Sequence, residues 1–97
     1  MNKKERFKHI VDIGCIVCRE FHDGIYSAPA VHHLVGLEFR CSGKKAKWEY
    51  TIGLCGGHHQ YGTNDHPAIH SHPAEFERKF GTQRELLDIT NRLINAK

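Results

Sequence analysis

Residues 53–62, GLCGGHHQYG, place a cysteine, two glycines and two adjacent histidines in one short stretch. Cys55 and His58 are separated by two residues, a spacing that lets a thiolate and an imidazole reach the same ion. His59 follows at once. On a helical turn neighbouring side chains differ in direction by about 100°, so the two rings are expected to face different places. A second doublet, His32–His33, stands upstream in PAVHHLVG, residues 29–36. The organisation of the chain depends on where these four imidazoles go.

The chain has 97 residues, which fits one domain. A domain of that size buries a thin core and often leans on a metal or a partner. The formal charge of +3 is compatible with an anionic partner and does not identify one. No apolar run approaches the roughly 20 residues that would cross a membrane. The opening MNKKERFKHIVDIG is basic and then amphipathic, without the uninterrupted apolar run of a signal peptide. A cytoplasmic protein is therefore expected, and disulfides are rare there. Four cysteines (15, 18, 41 and 55) and nine histidines in such a setting point first to metal. Seven of the nine histidines fall between residues 32 and 72, so the metal chemistry is expected in that span.

The periodicity predicts a helix over 3–13, with Phe7, Ile10, Val11 and Ile13 on one stripe and Gly14 as its stop. A short second helix is expected over 16–22, then a loop marked by Asp23-Gly24 and Pro29. AVHHLV and EYTIGL read as two strands paired in a hairpin, with the long basic connection RCSGKKAKW turning at Gly43. SHPAEFERKFG reads as a helix with Ser71 as N-cap, Pro73 in the first turn and Gly81 as the stop. The last helix opens with a Thr82–Glu85 capping box and carries Leu86, Ile89, Thr90, Leu93 and Ile94 on one stripe. There is no internal repeat, low-complexity segment or linker. The expected class is α+β: a β-hairpin with flanking helices in a single domain.

Cys15-x-x-Cys18 is half of a common zinc site, and Cys55-x-x-His58 has the same spacing. Together they make a Cys₃His tetrahedral set, closed to water and therefore structural. Such a clip would staple the N-terminal helices to the exit of the hairpin and contribute directly to folding. The plainer alternatives are cysteines buried as small apolar groups or a CxxC redox pair. Cys41 has no spacing partner and reads as a free thiol.

Assigning His58 to zinc leaves His32, His33, His59, His66, His70 and His72 in the span from residue 32 to residue 72. Neutral imidazole is both a metal ligand and a base near neutral pH. On a regular strand His32 and His33 point to opposite faces. They can serve one site only at a strand end or bend, or if one binds metal while the other reaches the reactants from the side. His59 reads as a further ligand and His70 as a weaker candidate. His66 and His72 read as solvated or supporting residues, and His9 and His22 as helix-surface ones. Arg40, Lys44, Lys45 and Lys47 lie close together near Trp48 and Tyr50. Such a run neutralises phosphates in nucleic-acid binding, although a solvated turn is the usual outcome for a charge run.

Taken in order, CIVC, VHHLVG, YTIGLCGGHHQYG and AIHSHPAEFERKFGTQRELL resemble the HNH, or ββα-metal, endonucleases. Within that group they are most similar to the Ref-like, RecA-dependent nucleases of phages and prophages. The resemblance runs from Cys15 to Leu87. It implies a small ββα-metal (HNH) core, stapled by a structural zinc on Cys15, Cys18, Cys55 and His58. It implies His33 as the general base, and His32, His59 and His70 as ligands of a catalytic divalent metal, Mg²⁺ or another. The activity implied is phosphodiester hydrolysis in DNA during phage or prophage recombination, with the basic loop on the DNA backbone and a RecA-type recombinase filament as a partner. One departure stands out. WEYTIG carries no Asn where the HNH pattern has its middle residue, so another group must orient His33. Two competing classes are a non-catalytic zinc-dependent DNA-binding module and a metal-storage or sensor protein.

Overall fold

The computed structural model describes residues 1–36, 38–39, 47–62 and 67–96. Arg40, Cys41, Gly43, Lys44, Lys45 and His66, and the expectations attached to them, lie outside the described residues.

Helix α1 spans Lys3–Ile13, and the Asn2 side chain accepts the Glu5 N–H at 2.9 Å to cap its first turn. Its inward face is rotated from the predicted stripe. Ile10 and Ile13 are buried, but Val11 is half exposed and Arg6 takes the inward position. The guanidinium has a reason to be there. It donates to Thr51 Oγ1 at 3.0 Å, to the Thr51 carbonyl at 2.7 Å and to Asn91 Oδ1 at 2.9 Å. Three charge-assisted bonds offset the cost of burying it. Gly14 ends the helix with φ 82°, and a Cβ there would lie 2.8 Å from the Tyr26 ring, so only glycine fits the turn. Helix α2 follows over Ile16–Phe21, one residue shorter than predicted, with His22 as its C-cap.

Strands β1 (Ala30–His33) and β2 (Thr51–Leu54) pair antiparallel, with His32 opposite Ile52 and His33 opposite Thr51. Beyond the strand the Leu34 N–H still bonds the Tyr50 carbonyl at 3.0 Å. β2 is buried along its length. A Cβ on Gly53 would meet the Gly14 carbonyl at 2.8 Å, so a glycine is what lets the strand lie against the corner between α1 and α2. A single helical turn, α3 (Gly56–His59), leaves β2 directly.

Helix α4 covers Pro73–Phe80. Its N-cap is His72 and not Ser71, and no side chain caps it; the Ser71 hydroxyl instead lies 2.8 Å from His72 Nδ1. Pro73 supplies the start, because its missing N–H is one the first turn leaves unused. Helix α5 (Gln83–Asn95) has both bonds of the capping box: the Thr82 N–H donates to Glu85 Oε1 at 3.0 Å and the Glu85 N–H to Thr82 Oγ1 at 3.1 Å. It buries Leu86, Leu87, Thr90 and Ile94, with Ile89 and Leu93 half-buried beside them. The core joins Ile13, Ile16, Ile52, Leu54, Phe76 and Leu86 from five elements. The result is a small α+β protein around a two-stranded antiparallel sheet. Among the described residues, no helix is long and apolar enough to cross a membrane.

Candidate metal centres

The corner after α1 and the turn after β2 bring Cys15, Cys18, Cys55 and His58 together, every pair of potential ligand atoms within 4.8 Å. Cys15 is the N-cap of α2 and Cys18 sits in its first turn. Cys55 is the N-cap of α3, and His58 lies within that turn. His58 Nδ1 stands 3.5 Å from Cys15 Sγ, 3.5 Å from Cys18 Sγ and 3.2 Å from Cys55 Sγ, with 3.8 Å between the sulfurs of Cys18 and Cys55. One ring nitrogen offers one hydrogen-bonding position, so three sulfurs around it are not explained by hydrogen bonds. A tetrahedral metal ion such as zinc would explain them. Zn–S of about 2.3 Å and Zn–N of about 2.05 Å give polyhedron edges of about 3.8 Å and about 3.6 Å.

Cys15, Cys18 and Cys55 are all free thiols. Burial pushes the Cys15 thiol up to about 12; a divalent cation among the sulfurs would reverse that by stabilising thiolates. This set could hold a metal such as zinc. Phe80 packs edge-on against His58 at 5.3 Å, and His22 stacks on it at 5.4 Å. His22, expected to be a simple surface residue, is thus an exposed cover over one ligand ring.

The second group is His32, His59 and His70, again with candidate ligand atoms within 4.8 Å. His32 projects from β1 into the protein and is only 2% exposed. His59 comes from α3. His70 is brought beside it by two backbone bonds, from Ile69 N–H to the His58 carbonyl at 2.8 Å and from His70 N–H to the His59 carbonyl at 3.1 Å. The Nε2 atoms of His59 and His70 are 3.1 Å apart. Burial lowers His32 to about 4, and burial followed by the nearby His70 lowers His59. Both rings are held neutral at neutral pH, the state a metal requires.

The adjacent His58 and His59 therefore belong to different groups, as the helical turn required. His33 does not join the trio. It lies on the opposite side of β1, half-buried, with its ring edge-on to Phe7 of α1 at 6.4 Å. Lys3 Nζ lies 5.6 Å over the other end of that contact, the Phe7 ring. His72 sits at the start of α4 and belongs to neither group. His9 departs from the surface expectation: its Nδ1 is buried and has no hydrogen-bond partner among the described residues. Of the basic loop, Lys47 is described and exposed, while Tyr50 packs on Phe39 at 5.7 Å.

Gln83, the first residue of α5, carried no signal in the sequence. Its Oε1 lies 3.4 Å from His32 Nε2, and its amide also bonds the backbone N–H and carbonyl of Val35. It is distant in the chain from His32, and its neighbours Thr82 and Glu85 account for the local pattern by themselves. Beyond it opens a cleft of about 420 Å³ walled by Val35, Phe39, Ile69, Phe76 and Arg84. Arg84 is ion-paired with Glu38 and lies 5.0 Å over the Phe39 ring.

The family described as recombination enhancement, RecA-dependent nuclease matches residues 1–95 of the chain. No curated protein and no solved structure matches it.

Proposed function

The chain belongs to the recombination enhancement, RecA-dependent nuclease family, and on that premise we propose that it is a metal-dependent DNA endonuclease of the HNH type. In this reading His33 is the general base. His32, His59 and His70 hold one divalent ion, Mg²⁺ or another. Cys15, Cys18, Cys55 and His58 hold a structural zinc, and a RecA-type filament is the partner on DNA. The observation that carries the reading is the division of the His58–His59 doublet between two groups of different chemistry. A Cys₃His set fills all four positions of a tetrahedral ion, whereas three imidazoles leave positions open to water and phosphate.

When bound, the divalent ion supplies Lewis acidity and stabilises charge on the leaving oxygen. The protein's own groups do the rest. His33, neutral, takes a proton from the water that attacks phosphorus. His33 ends β1 on the α1 side, beside Phe7, while His32 faces the trio; in this reading it acts on the reactants from that side. Lys47, with Arg40, Lys44 and Lys45, holds the backbone. Contacts of that kind position DNA without reading its bases, so sequence preference is weak. A zinc-dependent DNA-binding module would leave three converged imidazoles without a role.

Nicking of supercoiled plasmid tests the proposal. The protein, with and without a RecA filament, is expected to nick with Mg²⁺ or Mn²⁺ and to stop when a chelator is added. His33→Ala should abolish nicking and keep its zinc and its melting temperature. Full activity in that variant removes the base assignment. DNA binding with no nicking under any metal would leave the binding-module reading in its place.

A further inference from the structure

We propose that Gln83 is a positioning residue that fixes the His32 ring and its tautomer, leaving Nδ1 as the nitrogen that binds metal. The inference rests on the reading of His32, His59 and His70 as a metal site.

The orientation of the Gln83 amide is set by its other bonds. Gln83 Nε2 donates to the Val35 carbonyl at 2.8 Å, and Gln83 Oε1 accepts the Val35 N–H at 2.9 Å. Flipping the amide would set nitrogen against N–H and oxygen against carbonyl oxygen, so this assignment is unambiguous. Oε1 is therefore the atom that faces His32 Nε2, at 3.4 Å. An amide oxygen attracts a ring nitrogen only when that nitrogen carries the proton. The neutral ring is then Nε2–H, with its lone pair on Nδ1. A protein hydrogen bond to the ring nitrogen that faces away from the metal is how histidine ligands are commonly oriented.

The support for Gln83 is rigid. Gly81, with φ 105°, ends α4, and the Thr82–Glu85 capping box fixes the first turn of α5. Gln83 is the first residue after that cap and reaches across to the segment that follows β1. His32 is itself 2% exposed, so its ring has little room to choose another partner.

The test uses the zinc-loaded protein. Without added divalent metal, ¹⁵N NMR of the histidine rings should show His32 neutral with its proton on Nε2, and Gln83→Leu should lose that preference. Mn²⁺ titration by calorimetry should show binding weakened about 10–100-fold in Gln83→Leu, with zinc content unchanged. Gln83→Glu keeps an acceptor for His32 but loses the donor to Val35. It should restore Mn²⁺ binding, whereas a role confined to bracing Val35 would leave Gln83→Glu as weak as Gln83→Leu. A proton on Nδ1 in the parent protein overturns the proposal, as does parent-like Mn²⁺ affinity in Gln83→Leu. If His59→Ala abolishes Mn²⁺ binding and Gln83→Leu does not, the Gln83 inference alone fails. If neither the parent protein nor His59→Ala binds Mn²⁺ beyond zinc, the metal reading of the trio fails with it.

Discussion

Arg6 shows how one side chain can hold three elements in place. It stands on α1 and bonds both Thr51 of β2 and Asn91 of α5. Burial lowers its pKa, and the charge of Glu49 opposes that shift. Arg6→Met keeps much of the volume and strips three bonds from buried or half-buried partners. Urea unfolding should show a loss of about 1–3 kcal/mol, with zinc content unchanged. A variant as stable as the parent would mean that Thr51 and Asn91 find other partners. At this level the sequence is legible where chemistry is local. Cys55-x-x-His58 and the His58–His59 turn can be read from spacing alone, and the structure sends the two rings to separate groups. Gln83 and the inward turn of Arg6 are not legible, because each depends on partners far away in the chain. Arg6 also breaks the rule that charged residues face out.

The helix ends and the close contact at β2 are where backbone geometry decides. The capping box at Thr82 and Glu85 is readable because both partners lie within one turn. Ser71 does not cap α4, because a serine before a helix is only a propensity and the chain turns one residue later, at His72. The Glu85 carboxylate is held below its usual value by the Thr82 backbone N–H and then by the Thr82 side chain. The folded state thus binds fewer protons at Glu85 than the unfolded chain. Its stabilising effect is full above about pH 4.5 and fades as pH falls through the lower folded value. Thermal melts of the parent and Glu85→Gln should therefore differ at pH 7 and converge as the solution is taken to pH 3. A constant difference would show that the cap does not depend on the charge. Gly53→Ala places a methyl 2.8 Å from the Gly14 carbonyl. We expect a clear loss in melting temperature, since two backbones must separate to admit it. An unchanged melt would show that β2 does not lie so close to that corner.

The whole chain is small, and its core is drawn from short helices and a two-stranded sheet that is marginal by itself. The Cys15–Cys18–Cys55–His58 set joins the α2 corner to the exit of the hairpin, which is where such a fold needs a staple. Cys18→Ser should unfold the protein or lower its melting temperature sharply and release its zinc, and chelation of the parent should do the same. Helices α1, α2, α4 and α5, the hairpin and the Cys₃His set are foreseeable from spacing and periodicity; the single turn α3 is too short to leave a periodic signal. The membership of the histidine trio needs the family resemblance as well, because spacing leaves several histidines eligible. That His33 faces away from His32 follows from strand alternation; its contact with Phe7 is not foreseeable, because Phe7 is distant in the chain.

That one histidine doublet serves two different ions is tested most directly by anomalous diffraction from crystals grown with zinc and manganese, recorded at both absorption edges. The expected result is a zinc peak among Cys15, Cys18, Cys55 and His58 and a separate manganese peak among His32, His59 and His70. A single ion shared by His58 and His59, or no ion on the three histidines, would contradict it.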